Sequence, residues 1–181
     1  MDHMTNTPEE QEALLALKEV RTLLESLTPL KTNCGKLCGG ACCLNDETGN
    51  NGMALLPLEH MLYQEPIDDF PFRLLPDDSL VKGGMRLVCE GECVREHRPF
   101  QCRIFPLRIH VSGDAADIDI HAEIDPRAWA ICPLPEMGGL RALDARFVSA
   151  VQEAGERLVQ NDRMLAALRH EQAMIDELQQ L

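Results

Sequence analysis

The sequence predicts an α+β fold, one helix-rich domain with a small β-hairpin and cysteine-rich loops. Three observations carry that expectation. Apolar residues recur at spacings of three and four near both ends, polar and apolar residues alternate around a Ser-Gly-Asp turn, and cysteines crowd the stretch between.

In chain order, Thr7 before Pro8 reads as an N-cap with proline in the first turn, and Glu9 and Glu10 suit the positive end of the helix dipole. A helix over 8–27 follows, with Leu14, Leu17, Val20, Leu24 and Leu27 forming one apolar stripe. Thr28 and Pro29 end it. A Gly-Asn-Asn-Gly turn at 49–52 precedes a short helix starting near Pro57. Prolines at 66, 71 and 76, with two Asp-Asp pairs, make 65–79 an extended surface loop. The run MRLVCEGEC reads as a short strand entering a turn at Gly91. Alternation in LRIHV and ADIDIHAEI makes 107–124 a β-hairpin. From Leu140 the helical spacing returns through Leu143, Phe147, Val151, Ala154 and Leu158, then Leu165, Leu168, Ile175 and Leu178. Asn161 and Asp162 mark a break between two helices. The resulting organisation is an N-terminal amphipathic helix (1–30), a cysteine-bearing core (31–137) and a C-terminal helical segment (138–181), all within one structural domain.

A chain of 181 residues can bury a real core, so it does not need cysteine staples to fold. Its formal charge of −13 repels nucleic acid and anionic lipid, so neither is expected as a partner. The first twenty residues lack a basic n-region, and Glu12, Lys18 and Glu19 interrupt their leucines, which reads as a cytoplasmic protein without a signal peptide. No run approaches the roughly 18 to 20 apolar residues of a membrane span. In a reducing compartment, clustered cysteines point to metal ligation or redox chemistry rather than to disulfides.

Four of the eight cysteines fall within ten positions, Cys34, Cys38, Cys42 and Cys43 in CGKLCGGACC. On an ideal helix the first three would share a face, but Gly35, Gly39 and Gly40 disfavour helix by roughly 1 kcal/mol each, so a loop folded around an ion is expected. Adjacent Cys42 and Cys43 look poorly placed to chelate one ion together. The second group is Cys89, Cys93 and Cys102, with Cys132 further on. Together they supply enough soft ligands for two four-coordinate sites, or for one site with spare thiols.

Charge supports a thiolate centre. Residues 86–108 carry five arginines against Glu90, Glu92 and Glu96, and 31–43 add Lys31 and Lys36 with no acid. The two segments thus carry +4 within a chain of −13. Four thiolates on a divalent ion leave net negative charge, which arginines offset. Arg98 and Arg103, flanking Cys102, are the expected partners. His97, between Cys93 and Cys102, is expected as a ligand or as a donor to one. His110 and His121 are read as exposed hairpin residues, His60 as helix surface, and Trp129 as an apolar cover beside Cys132.

The double-cysteine cluster together with HRPFQCRIFPL resembles the YkgJ-like cysteine-cluster family, with its R-P-x-x-C-R-x-F-P signature at Arg98, Pro99, Cys102, Arg103, Phe105 and Pro106. The resemblance covers about residues 34 to 132. The first cluster departs from the family's common C-x2-C-x2-C-C by one residue in each gap. The resemblance implies zinc or iron held by the matched cysteines and leaves the biochemical role unassigned. The residues alone support two readings. One is a binding or structural protein with zinc on thiolates; the other is an iron–sulfur protein or redox enzyme. Whether the chain is an enzyme stays open: it has no G-x-G-x-x-G cofactor motif.

Overall fold

The computed structural model describes residues 7–44, 52–89, 94–114 and 117–180. Cys93, the turn at Gly91 and most of the turn at 49–52 lie outside the described residues. The helical elements are α1 (Pro8–Leu23), α2 (Gly35–Cys38), α3 (Phe100–Ile104), α4 (Ala145–Leu158) and α5 (Asp162–Gln179). The strands are β1 (Met53–Ala54), β2 (Phe72–Pro76), β3 (Met85–Cys89), β4 (Leu107–Ser112) and β5 (Asp119–Ile124). The predicted α+β class holds.

Helix α1 begins as its sequence dictates. Thr7 accepts from the Glu10 amide while the Glu10 side chain accepts from the Thr7 amide, a reciprocal cap that satisfies two otherwise orphaned donors. It ends at Leu23, short of the expected Leu27, and the chain continues through tighter turns in which Leu27 N–H bonds the Leu24 carbonyl. At the other end, α4 and α5 are capped by Asp144 and Asn161, so Asn161 is the break between two helices.

The main core joins these helices to the hairpin. Ala13, Leu17, Val20 and Leu24 pack with Phe147, Val151, Ala154 and Leu158 of α4, Met164 and Leu168 of α5, and Ile109 and Val111 of β4. The apolar face of the hairpin lies on α4. An added Cβ on Gly155 would stand 2.9 Å from Cγ2 of Ile109 and 3.0 Å from Cγ2 of Ile120, so the absence of a side chain is what allows that approach. Gln152 of α4 accepts from Ala122 N–H and donates to the Ile120 carbonyl, so the outer edge of β5 keeps its backbone partners.

The second layer is a three-stranded antiparallel sheet in the order β1-β3-β2. Here the structure corrects the sequence reading. The stretch 65–79, expected as a surface loop, contains strand β2 and the buried Phe70. Phe70, Tyr63, Leu55 and Leu87 form a smaller apolar cluster, with Phe72 packed against it. Pro76 is accommodated because it is the last residue of β2, an edge strand, where a missing N–H costs no central ladder bond. The segment near Pro57 is a 3-10 turn, Glu59–Tyr63, entered through Leu58 in the left-handed region.

Candidate metal centre

The first cysteine cluster is not the irregular loop expected from its glycines. Cys34 opens one α-helical turn, α2, and Ala41–Cys43 form a 3-10 turn. The glycines act between the turns: Gly39 and Gly40 have φ of 63° and 72°, a left-handed pair that reverses the chain, with Gly40 N–H bonded to the Gly35 carbonyl. Helix propensity disfavours glycine in a helix interior, but here two of the three glycines stand outside the helices, where only their backbone freedom matters.

None of the seven described cysteines is in a disulfide. They fall into two neighbourhoods. Cys42 and Cys43 line a cavity of about 260 Å³ together with Cys89, from the end of β3, and Cys102, from α3. Arg98, Arg127, Asp125 and Gln101 line the same cavity, with Met53, Phe105 and Ile131 as apolar wall. Cys34, Cys38 and Cys132 form the other neighbourhood: Cys38 and Cys34 both push up the Cys132 thiol, after burial, and Cys38 acts likewise on Cys34. Cys132 thus stands with the first cluster rather than with Cys89 and Cys102.

Cys42 links the two. Its sulfur lies 3.9 Å from that of Cys43, close to the edge of about 3.8 Å that a tetrahedral thiolate site has at a metal–sulfur distance near 2.3 Å. Adjacency in sequence therefore does not keep the pair from sharing an ion. The Cys42 thiol is pushed strongly upward, first by its hydrogen bond with Cys43, then by desolvation and by charge on Cys43, Cys38 and Cys34. The physical content is mutual repulsion: without a cation, ionising one sulfur makes ionising the next harder, so the protons stay on. A bound cation inverts that relation and displaces them.

The donor set fits a thiophilic metal. Yet among the described residues no three cysteine sulfurs lie within 4.8 Å of one another; the group that meets that distance is His110, His121 and Glu123. The four cysteines line one cavity without three of their sulfurs converging.

Three expectations about neighbouring residues are corrected. Arg103 is buried and does not face the sulfurs: it donates to the carbonyls of Arg98, Arg21 and Glu96. Burial and the charges of Arg21 and Arg95 pull its pKa down to about 10. His97 stacks on Phe70 at 5.8 Å between centroids, sets Nε2 3.3 Å from the Glu96 carboxylate, and accepts the Tyr63 hydroxyl at its carbonyl. Trp129 is 56% exposed, and Ile131 rather than Trp129 walls the cavity. Arg98 alone of the three expected neighbours lines the cavity, and its charge opposes the upward shift of Cys34.

The sequence reading missed Arg127, which lines the cavity while its guanidinium holds Asp125 at 2.6 Å and Glu171 of α5 at 2.7 Å. It also missed Arg95, which donates to the carbonyls of Glu25, Leu24, Leu27 and Arg103 and so closes the end of α1. The excess of arginine was visible, but its division between backbone ties and cavity wall depends on tertiary placement. No helix among the described residues is long and apolar enough to cross a membrane. The chain matches no family model, and no curated protein or solved structure matches it.

Proposed function

We propose that this chain is a metal-binding protein that holds zinc through its clustered cysteine thiolates. The observation that carries the reading is the meeting of Cys42, Cys43, Cys89 and Cys102, from three separate segments, around one cavity that Arg98 and Arg127 also line. Soft sulfur donors select a thiophilic ion, and Arg98 offers positive charge against that left when four thiolates meet two metal charges, while Arg127 is engaged by Asp125 and Glu171. Cys34, Cys38 and Cys132 offer donors for a second ion. The likeness of CGKLCGGACC and RPFQCRIFP to the YkgJ-like pattern supports the same reading.

A second reading rests on the spread of the sulfurs. Four cysteines around a space of about 260 Å³ also suit a multi-iron cluster, each iron taking one thiolate. Under either reading a cytoplasmic setting suits the chemistry, because a reducing compartment keeps clustered thiols from pairing as disulfides.

Elemental analysis and a visible spectrum of protein purified without oxygen separate the two. A colourless protein with one or two zinc ions supports the first reading; brown protein with iron and acid-labile sulfide supports the second. Cys102→Ala should lower metal stoichiometry and thermal stability together. A fully metallated, equally stable variant would remove Cys102 from the ligand set.

A further inference from the structure

A second group of potential ligands lies on the polar face of the hairpin and is built by its register. In antiparallel pairing His110 faces His121 and Arg108 faces Glu123, and the period of two puts Arg108, His110, His121, Glu123 and Asp119 on one face. The other face, with Ile109, Val111 and Ala122, is turned to the core. The two imidazoles stack at 4.3 Å between centroids, and one ligand atom from each of His110, His121 and Glu123 lies within 4.8 Å of the others.

Two of the spacings are close to those of a coordination shell. His110 Nδ1 is 3.4 Å from Glu123 Oε1, and His121 Nε2 is 3.5 Å from Glu123 Oε2. A tetrahedral ion with nitrogen and oxygen ligands at about 2.0 to 2.1 Å needs ligand atoms about 3.3 to 3.4 Å apart. The supporting contacts are also in place. His121 Nδ1 lies 3.5 Å from Asp119 Oδ2, which places a carboxylate to accept the Nδ1 proton when Nε2 ligates. Glu123 is fixed by an ion pair with the buried Arg108.

We propose that His110, His121 and Glu123 form a second metal site, distinct in chemistry from the cysteines, for a divalent late-transition ion such as zinc, nickel or cobalt. Two imidazoles and a carboxylate are borderline donors that suit these ions. Three protein ligands leave one position for water or an exchangeable ligand. His121 is half-exposed, so the ion has a path from solvent. Arg108 next to the carboxylate opposes a further positive charge and makes the site weaker and more readily exchanged than a thiolate centre.

The test uses the full chain as purified, with whatever its cysteines hold left in place, titrated with Co2+ and followed by histidine imidazole NMR and by visible absorption. The His110 and His121 signals should respond together and saturate at one equivalent. The accompanying absorption should be of the weak ligand-field kind, without the intense sulfur-to-cobalt band of a thiolate site. His121→Gln, at a half-exposed position, should weaken this binding at least about tenfold while leaving the metal content of the cysteines unchanged. Asp119→Ala should weaken it by a smaller factor. Imidazole signals that do not move, or a His121→Gln variant that binds Co2+ as the parent does, would overturn the proposal.

Discussion

Helix α4 and the paired turns at 35–43 are opposite in how they are held. Of the fourteen residues of α4, Phe147, Ala150, Val151, Ala154, Gly155 and Leu158 are buried, and the helix is fixed by apolar contact with α1, α5 and the hairpin. Neither turn of 35–43 buries a residue, and their fixed geometry comes from hydrogen bonds and two left-handed glycines. The difference separates the sources of order. The helical frame is stabilised by area removed from water, which no ligand supplies. The cysteine region is arranged by polar ties, and under the proposed metal binding an ion on its sulfurs would complete it.

The strongest challenge to that comparison is Phe147→Ala. Phe147 is fully buried, and its truncation should cost about 3 to 5 kcal/mol in denaturant unfolding, by the same amount with and without chelator. A loss that depended on metal would mean that the two regions are not separately supported. Next comes Arg103→Met. It removes the donors to three carbonyls that tie α3 and the preceding turn to α1, and should cost about 2 to 3 kcal/mol, with hydrogen exchange rising first around Cys102. Equal acceleration in α4 would blur the boundary.

Gly155→Val sharpens the frame side. The added side chain meets Ile109 and Ile120 and should cost about 1 to 3 kcal/mol by forcing the hairpin off α4, read as a lower thermal midpoint at unchanged metal content. The smallest effect concerns acid. Burial alone would raise the Asp77 carboxyl, but hydrogen bonds from Ser79 and Arg86 outweigh it and hold the group below its usual value. A depressed carboxyl contributes stability above its unfolded value, near 3.9, and loses it as pH falls through the lower folded value. Asp77→Asn should therefore be the less stable protein at neutral pH, and the gap should close in strong acid, measured by thermal melts at each pH.

Legibility followed periodicity. The α1 cap, the stripe from Leu143 to Leu158, the break at Asn161 and the hairpin were readable because spacing of three and four, or of two, fixes which face is buried. Strand β2 was not, since its prolines and acidic neighbours read as loop and its partner β3 lies about ten residues on. The short turns around Gly39 were hidden because propensity describes glycine inside a helix, not between two. The cysteines were recognisable as a group, but the placing of Cys132 with Cys34 and Cys38 depends on the whole fold. The pairing of His110 with His121 needed a register that loop length sets. A two-residue turn at Gly113 and Asp114 would place His110 opposite Asp117, whereas the longer connection brings it opposite His121.

The guanidinium of Arg95, gathered onto the carbonyls of Leu24, Glu25 and Leu27, also determines where a protease can enter. A trypsin-like enzyme must take that side chain into its own specificity pocket, and it can do so only after the end of α1 has let it go. Cleavage after Arg95 is therefore a clock for local opening at this junction. Its rate, set against cutting at Lys82, exposed in the turn between β2 and β3, reports how often the cysteine-bearing segment parts from the first helix.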